Sequence, residues 1–151
     1  MPQEKTIKRA QEDKREGKSP STQASEFVRE EIHHVRQGKH GARSARQAVA
    51  IGLSKARRAG VKLQKPAKGK NSARTRRKAK QDSARSRKRR KPSTRRSRAT
   101  KSVVKREGRK AASSRSLSRQ ARSASRSRSK KSRIAAAKKA AKTRAARRHH
   151  R

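Results

Sequence analysis

Phe27 is the only aromatic residue in this chain of 151, and there is no Tyr, Trp or Cys. An interior must therefore be built from aliphatic side chains, and those are scarce as well. Hydrophobic residues make up 26% of the sequence, most of them Ala, against 40% charged residues and a net charge of +43. Such a composition buries too little apolar surface to offset the entropy of ordering a whole chain. The expectation is a mostly disordered protein with a small all-α helical hairpin near its N-terminus.

The hairpin is expected over residues 19–63, where the larger apolar residues gather. In "SPSTQASEFVREEIHHVRQG", Ser19 before Pro20 is an N-cap followed by a first-turn proline. Gly38 stands where a left-handed residue ends a helix. Ala24, Phe27, Val28, Ile32 and Val35 recur at helical spacing. A helix over 20–37 follows. In "GKHGARSARQAVAIGLSKARRAG", Ser44 and Gln47 have the spacing of a capping box and Gly60 closes a second helix over 45–59. Ala45, Ala48, Val49, Gly52, Leu53 and Ala56 share one side of it, and Ile51 lies off that side. Gly52 is either tolerated, at about 1 kcal/mol against Ala, or marks close approach by the first helix. The core is thin, with Val61 and Leu63 as additional candidates, and a second copy or a bound partner could complete it. Glu31 falls inside the first helix's apolar stripe. It either sits at the stripe's edge in water or pairs with Arg43 or Arg46.

Charge divides the chain. Residues 1–63 hold 15 Lys and Arg against 7 acids, whereas residues 64–151 hold 37 against 2, Asp82 and Glu107. Residues 1–18 read as a mobile charged arm. Residues 64–151 read as a disordered basic tail of low complexity, with Arg–Ser text such as "SASRSRSKKSR" followed by an Ala–Lys run. A segment this cationic repels itself and calls for a polyanion. Phosphate neutralisation releases counterions and needs no fixed fold. The lack of aromatics disfavours base stacking, on which single-strand binders and RNA modules depend, so double-stranded DNA is the first expected partner and RNA the alternative. The expected contacts in the hairpin are Arg43, Arg46, Lys55, Arg57 and Arg58. In the tail they begin with Arg76, Arg77, Lys88, Arg89, Arg90 and Lys91. They continue through Arg95, Arg96, Arg126, Arg128, Lys130 and Lys131 to Lys138, Lys139, Arg147 and Arg148.

The block Glu16–Leu63 resembles a family of small basic bacterial proteins that carry the pattern GKSPSTQA, EFVREE, GKHGARS and AIGLSKARRAGVKL. Its members are often labelled DNA-binding or histone-like. The resemblance covers about a third of the chain and implies a bacterial, nucleoid-associated role; it brings no catalytic chemistry. The remainder is similar only to the Ala–Lys and Ser–Arg tails of linker-histone-like proteins.

An enzyme needs a pocket lined by groups of perturbed pKa, and no nucleophile context such as G-x-S-x-G is present. His33, His34 and His40 lie near one another in sequence, with His149 and His150 at the end. No Cys or carboxylate completes a recognised ligand spacing, so no metal or cofactor is expected and the histidines read as surface or polyanion contacts. No apolar run reaches the roughly 18–20 residues of a membrane span. The first residues lack the apolar stretch of a secretory signal, and their acids argue against a mitochondrial presequence. The expectation is thus a non-enzymatic, cytoplasmic, histone-like protein that binds and can compact DNA. In it the hairpin acts as a docking or homodimerisation module. A protein-interaction adaptor and an RNA-binding or ribosome-associated protein are the alternatives.

Overall fold

The structure, a computed structural model, describes residues 2–67, 69, 71–86 and 93–149, leaving aside the side chains at 139, 142–144 and 146–149. The described residues form α1 (Glu4–Arg15), α2 (Pro20–Arg36), α3 (Ala45–Arg58), α4 (Ala73–Arg85), α5 (Thr94–Lys105), a 3-10 turn (Lys110–Ala112), α6 (Ser114–Arg126) and α7 (Lys130–His149), with no strand. The chain divides into two compact units, Met1–Ser116 and Leu117–Arg151.

The expectation of a mostly disordered chain is overturned. Helices run through the residues expected to be a disordered tail, and the arm expected to be mobile is α1, packed on α2. The composition argument concerned the size of a core, and a helix does not need a large one. Ala, Arg, Lys and Gln are among the best helix formers, and the serines scattered through the basic text start helices. Ser72 accepts from the Thr75 amide at 3.2 Å and Ser113 from the Ser116 amide at 3.2 Å. Ser129 accepts from the Ser132 amide at 3.3 Å. A serine that reads as low complexity in composition is an N-cap in position.

In the first unit α2 and α3 pack against each other, joined by residues 37–44. Ser19 caps α2 with Pro20 in its first turn. At the other end the Lys39 amide donates to the His34 carbonyl at 3.0 Å and the Gly38 amide to that of Val35 at 3.1 Å, a Schellman closure. Ser44 accepts from the Gln47 amide at 3.2 Å, and Gln47 Oε1 accepts from the Arg43 amide at 2.9 Å. Gly52 is where the two helices meet most closely. A Cβ there would lie 2.7 Å from Val28 Cα and 2.9 Å from its Cγ2, which selects close approach over mere tolerance.

The core is two small clusters, one on either side of that crossing. Phe27, Ala24 and Ala56 meet Ala10 of α1, with Ile7, Leu53, Val61 and Leu63 packed around them. Val35 and Ala48 meet Ala42, Ala111 and Ala112, with Ile32 alongside. The thin core thus gains cover from the chain itself, the role considered for a second copy or a bound partner. α1 closes one cluster and the 3-10 turn closes the other.

That second cover is held by backbone. The Gly41 amide donates to the Val104 carbonyl at 2.9 Å and the Ala42 amide to the Gly108 carbonyl at 3.1 Å. Arg36 Nε reaches the Ala112 carbonyl at 2.9 Å. A Cβ at Gly41 would fall inside the Glu107 carbonyl group, so glycine is what lets the strap of residues 104–112 lie on the α2–α3 turn.

α4 docks on α3 through Ala79 and Asp82, both buried. Ser54 Oγ donates to Asp82 Oδ2 at 2.6 Å, and Arg58 and Lys78 approach its other oxygen at 3.8 Å. In the second unit, the side chains of Lys130–Lys138 in α7 are all exposed. Among the described residues, no helix is long and apolar enough to cross a membrane.

Candidate nucleic-acid interface

Three acids of the first unit, Glu30, Glu31 and Asp82, are buried and engage cations of α3 and α4, and this decides which of those cations remain for a partner. On α2, Glu31 is 1% exposed, beside Glu30, also buried. Lys55 of α3 places Nζ 2.6 Å from Glu31 Oε2 and 3.8 Å from Glu30 Oε1. Lys55, expected at the interface, is thus directed inward with 14% of its side chain exposed. Arg43 and Arg46, the partners considered for Glu31, both face solvent. The sequence signal for this exchange is weak, since Lys55 looks like one more cation in "SKARR".

The other cations at the end of α3 are partly engaged. Arg58 donates from Nε to the Ser54 carbonyl at 3.3 Å and stands 3.8 Å from Asp82. Arg57 is half-buried; burial lowers its pKa and the Asp82 charge opposes that shift. Arg76 and Arg77 on α4, and Arg95 and Arg96 on α5, are exposed. So are Arg126, Arg128, Lys130, Lys131 and Lys138. Lys88, Arg89, Arg90 and Lys91 lie outside the described residues, as do the side chains of Lys139, Arg147 and Arg148.

Two further arrays emerge from the helices. On α6, Arg119, Arg122 and Arg126 follow one another at i, i+3 and i+7 and are all exposed. They form a stripe spanning about 10 Å of helix axis, with Leu117, Ala121 and Ala124 on the opposite side. The spacing was readable once that segment was granted to be helix. On α5 and just beyond it, Arg98, Lys101, Ser102, Lys105 and Arg106 line a shallow depression. Neither array includes a carboxylate.

His34 and His40 join the buried acids. His40 Nε2 lies 3.3 Å from Glu31 Oε1, and His34 Nε2 lies 3.8 Å from Glu30 Oε1. The two rings meet edge to face with centroids 6.0 Å apart. The Gln3 side-chain amide donates to His34 Nε2 at 3.1 Å. The Gln3 backbone amide, at the start of α1, donates to Glu30 Oε1 at 3.2 Å. Burial, then the charge of Lys55, lowers the pKa of His34, which favours the neutral ring. Read as surface contacts in sequence, these two histidines are half-buried or buried, whereas His33 is exposed. Glu31 and His34 are three residues apart on one helix, the one signal that could have linked them.

No family model, curated protein or solved structure matches this chain.

Proposed function

We propose that this protein is a non-enzymatic, histone-like binder of nucleic acid, with duplex DNA as its first partner, and that it works through phosphate contacts. One observation carries the reading. The described cations of α4, α5, α6 and the first half of α7 face solvent, while Asp82, the one acid in those helices, is buried against α3. Each unit thereby presents exposed cations to a polyanion, and pre-formed helices hold charge in register better than a coil does. The bacterial, nucleoid-associated setting rests on the resemblance of Glu16–Leu63. The adaptor reading loses ground because the small-residue face of α3 that a partner would use is covered by the chain's own α1 and 3-10 turn.

Phosphate contacts without base reading make affinity strongly salt-dependent and nearly indifferent to sequence. For about 10 phosphates neutralised together, log K falls against log salt with a slope near −9. Replacing Arg119, Arg122 and Arg126 by Ala should reduce that slope by about 3. Titration of two unrelated duplexes at several salt concentrations, with a structured RNA as competitor, tests this. A hundredfold preference for one duplex or a shallow slope would reject phosphate binding, and stronger competition by the RNA would move the assignment to RNA.

A further inference from the structure

We propose that Glu31, His34 and His40 form a binding site for a single divalent transition metal, with zinc as the matching class. One ligand atom from each lies within 4.8 Å of those of the other two. Bonds of about 2.0–2.1 Å around a tetrahedral centre set neighbouring ligand atoms about 3.3 Å apart, and Glu31 Oε1 to His40 Nε2 is already 3.3 Å. A small closing movement of His34 completes the set.

The hydrogen bonds around the two rings favour a cation at their centre. His40 Nδ1 lies 3.1 Å from the Gly41 carbonyl. A carbonyl can only accept, so Nδ1 carries the proton and, in the neutral ring, Nε2 presents a lone pair. That lone pair faces Glu31 Oε1, a second acceptor, and a cation between them resolves the opposition. A ring that donates its far N–H to a backbone carbonyl is the usual support of a metal-bound histidine. His34 Nε2 likewise presents a lone pair, accepting from Gln3. Gln3 is an exposed residue, free to give way to a metal.

Charge points the same way. Glu30 and Glu31 are two buried carboxylates, and among the described residues Lys55 is the one permanent cation within 4 Å of them. Lys55 holds Oε2 of Glu31 and leaves Oε1 to His40, with a His34 ring nitrogen nearby. A buried carboxylate without compensation is costly, and a dication bound through Oε1 supplies what is lacking. Nitrogen from two imidazoles with one carboxylate oxygen suits zinc. Its effect would be structural, tying α2 to the turn on which residues 104–108 rest.

The test is zinc titration of the full-length, metal-stripped chain by calorimetry, alongside cobalt substitution read by visible absorption. The expected result is one zinc per chain and a cobalt spectrum of tetrahedral intensity. His34→Gln and His40→Gln should each weaken binding by about 100-fold or more, beyond the ~10–100-fold loss of an outer-shell partner. His33→Gln and the paired change His149→Gln with His150→Gln should leave it intact. Should His34→Gln or His40→Gln unfold the chain, the cobalt spectrum of the unaltered protein decides. A tetrahedral band upholds the site and a weak octahedral spectrum overturns it. Absence of saturable binding at micromolar zinc also overturns it. Binding that disappears with the control histidines instead of His34 and His40 does so too.

Discussion

Along α3, Ala45, Ala48, Gly52 and Ala56 are all buried, and the small size of each lets another part of the chain come close. Along α7, Ala135, Ala136 and Ala137 stand exposed to water. The residue is the same and its intrinsic helix propensity is the same, but in α3 it works by what it lacks and in α7 by what it favours. α3 is a helix because α1, α2, α4 and the 3-10 turn converge on it. Over Lys130–Lys138, α7 is a helix because Ser129 starts it and no glycine or proline stops it. Helices of the first kind unfold with the whole unit, and helices held by propensity alone fray gradually.

The widest gap between the two should come from lysines. Lys55→Met leaves Glu31 buried with one cation fewer, and removing one member of a buried pair costs about 3–5 kcal/mol. Lys131→Met changes an exposed residue and should stay within about 0.5 kcal/mol. Urea unfolding followed by circular dichroism measures both. Similar midpoints would mean that Glu31 and Lys55 do not bind α2 to α3 as described.

Bulk comes next. Gly52→Leu drives a side chain into Val28 and should cost about 1–3 kcal/mol, more than Ile51→Ser on the same helix. Ala136→Leu in α7 meets no neighbour and should leave the helix content unchanged, because Leu and Ala have similar propensities. Gly41→Ala tests the strap separately. It should speed amide exchange at Gly41 and Ala42, the two donors to residues 104–108, before it alters the rest of the unit. Unchanged protection there would mean that the strap is held by Arg36 and the two alanines alone.

Much of the hairpin was legible because its signals are local. Ser19, Pro20, Ser44 and Gln47 act on neighbours within one helical turn, and the Gly52 stripe repeats at a fixed period. What covers the hairpin was not legible. Ala111 and Ala112 lie about seventy residues away and carry no mark that separates them from the 22 other alanines. Ile7 and Ala10 are too few to announce a face. Asp82 reads in sequence as a stray acid in a basic run, and only the fold brings Ser54 beside it. The buried cluster shows the same limit. Glu31 was singled out by its place in the apolar stripe, but its partners come from another helix and from a turn, and sequence proximity pointed to the wrong cations.

The smallest effect isolates the comparison most cleanly, because one substitution can be made in both helices. Ala48→Gly and Ala136→Gly lose the same intrinsic propensity, about 1 kcal/mol. At Ala48 the lost methyl also lies among Val35, Ala42, Ala111 and Ala112, which adds about 0.8 kcal/mol of burial. The two losses should also be read by different probes. Ala48→Gly should move the cooperative unfolding midpoint of the first unit, because α3 cannot fray without uncovering both clusters. Ala136→Gly should leave that midpoint in place and lower the helical signal of the native baseline, because Ala136 is exposed and buries no methyl. If Ala136→Gly shifts the cooperative midpoint as much as Ala48→Gly does, α7 is held by packing like α3, and the distinction between the two kinds of helix fails.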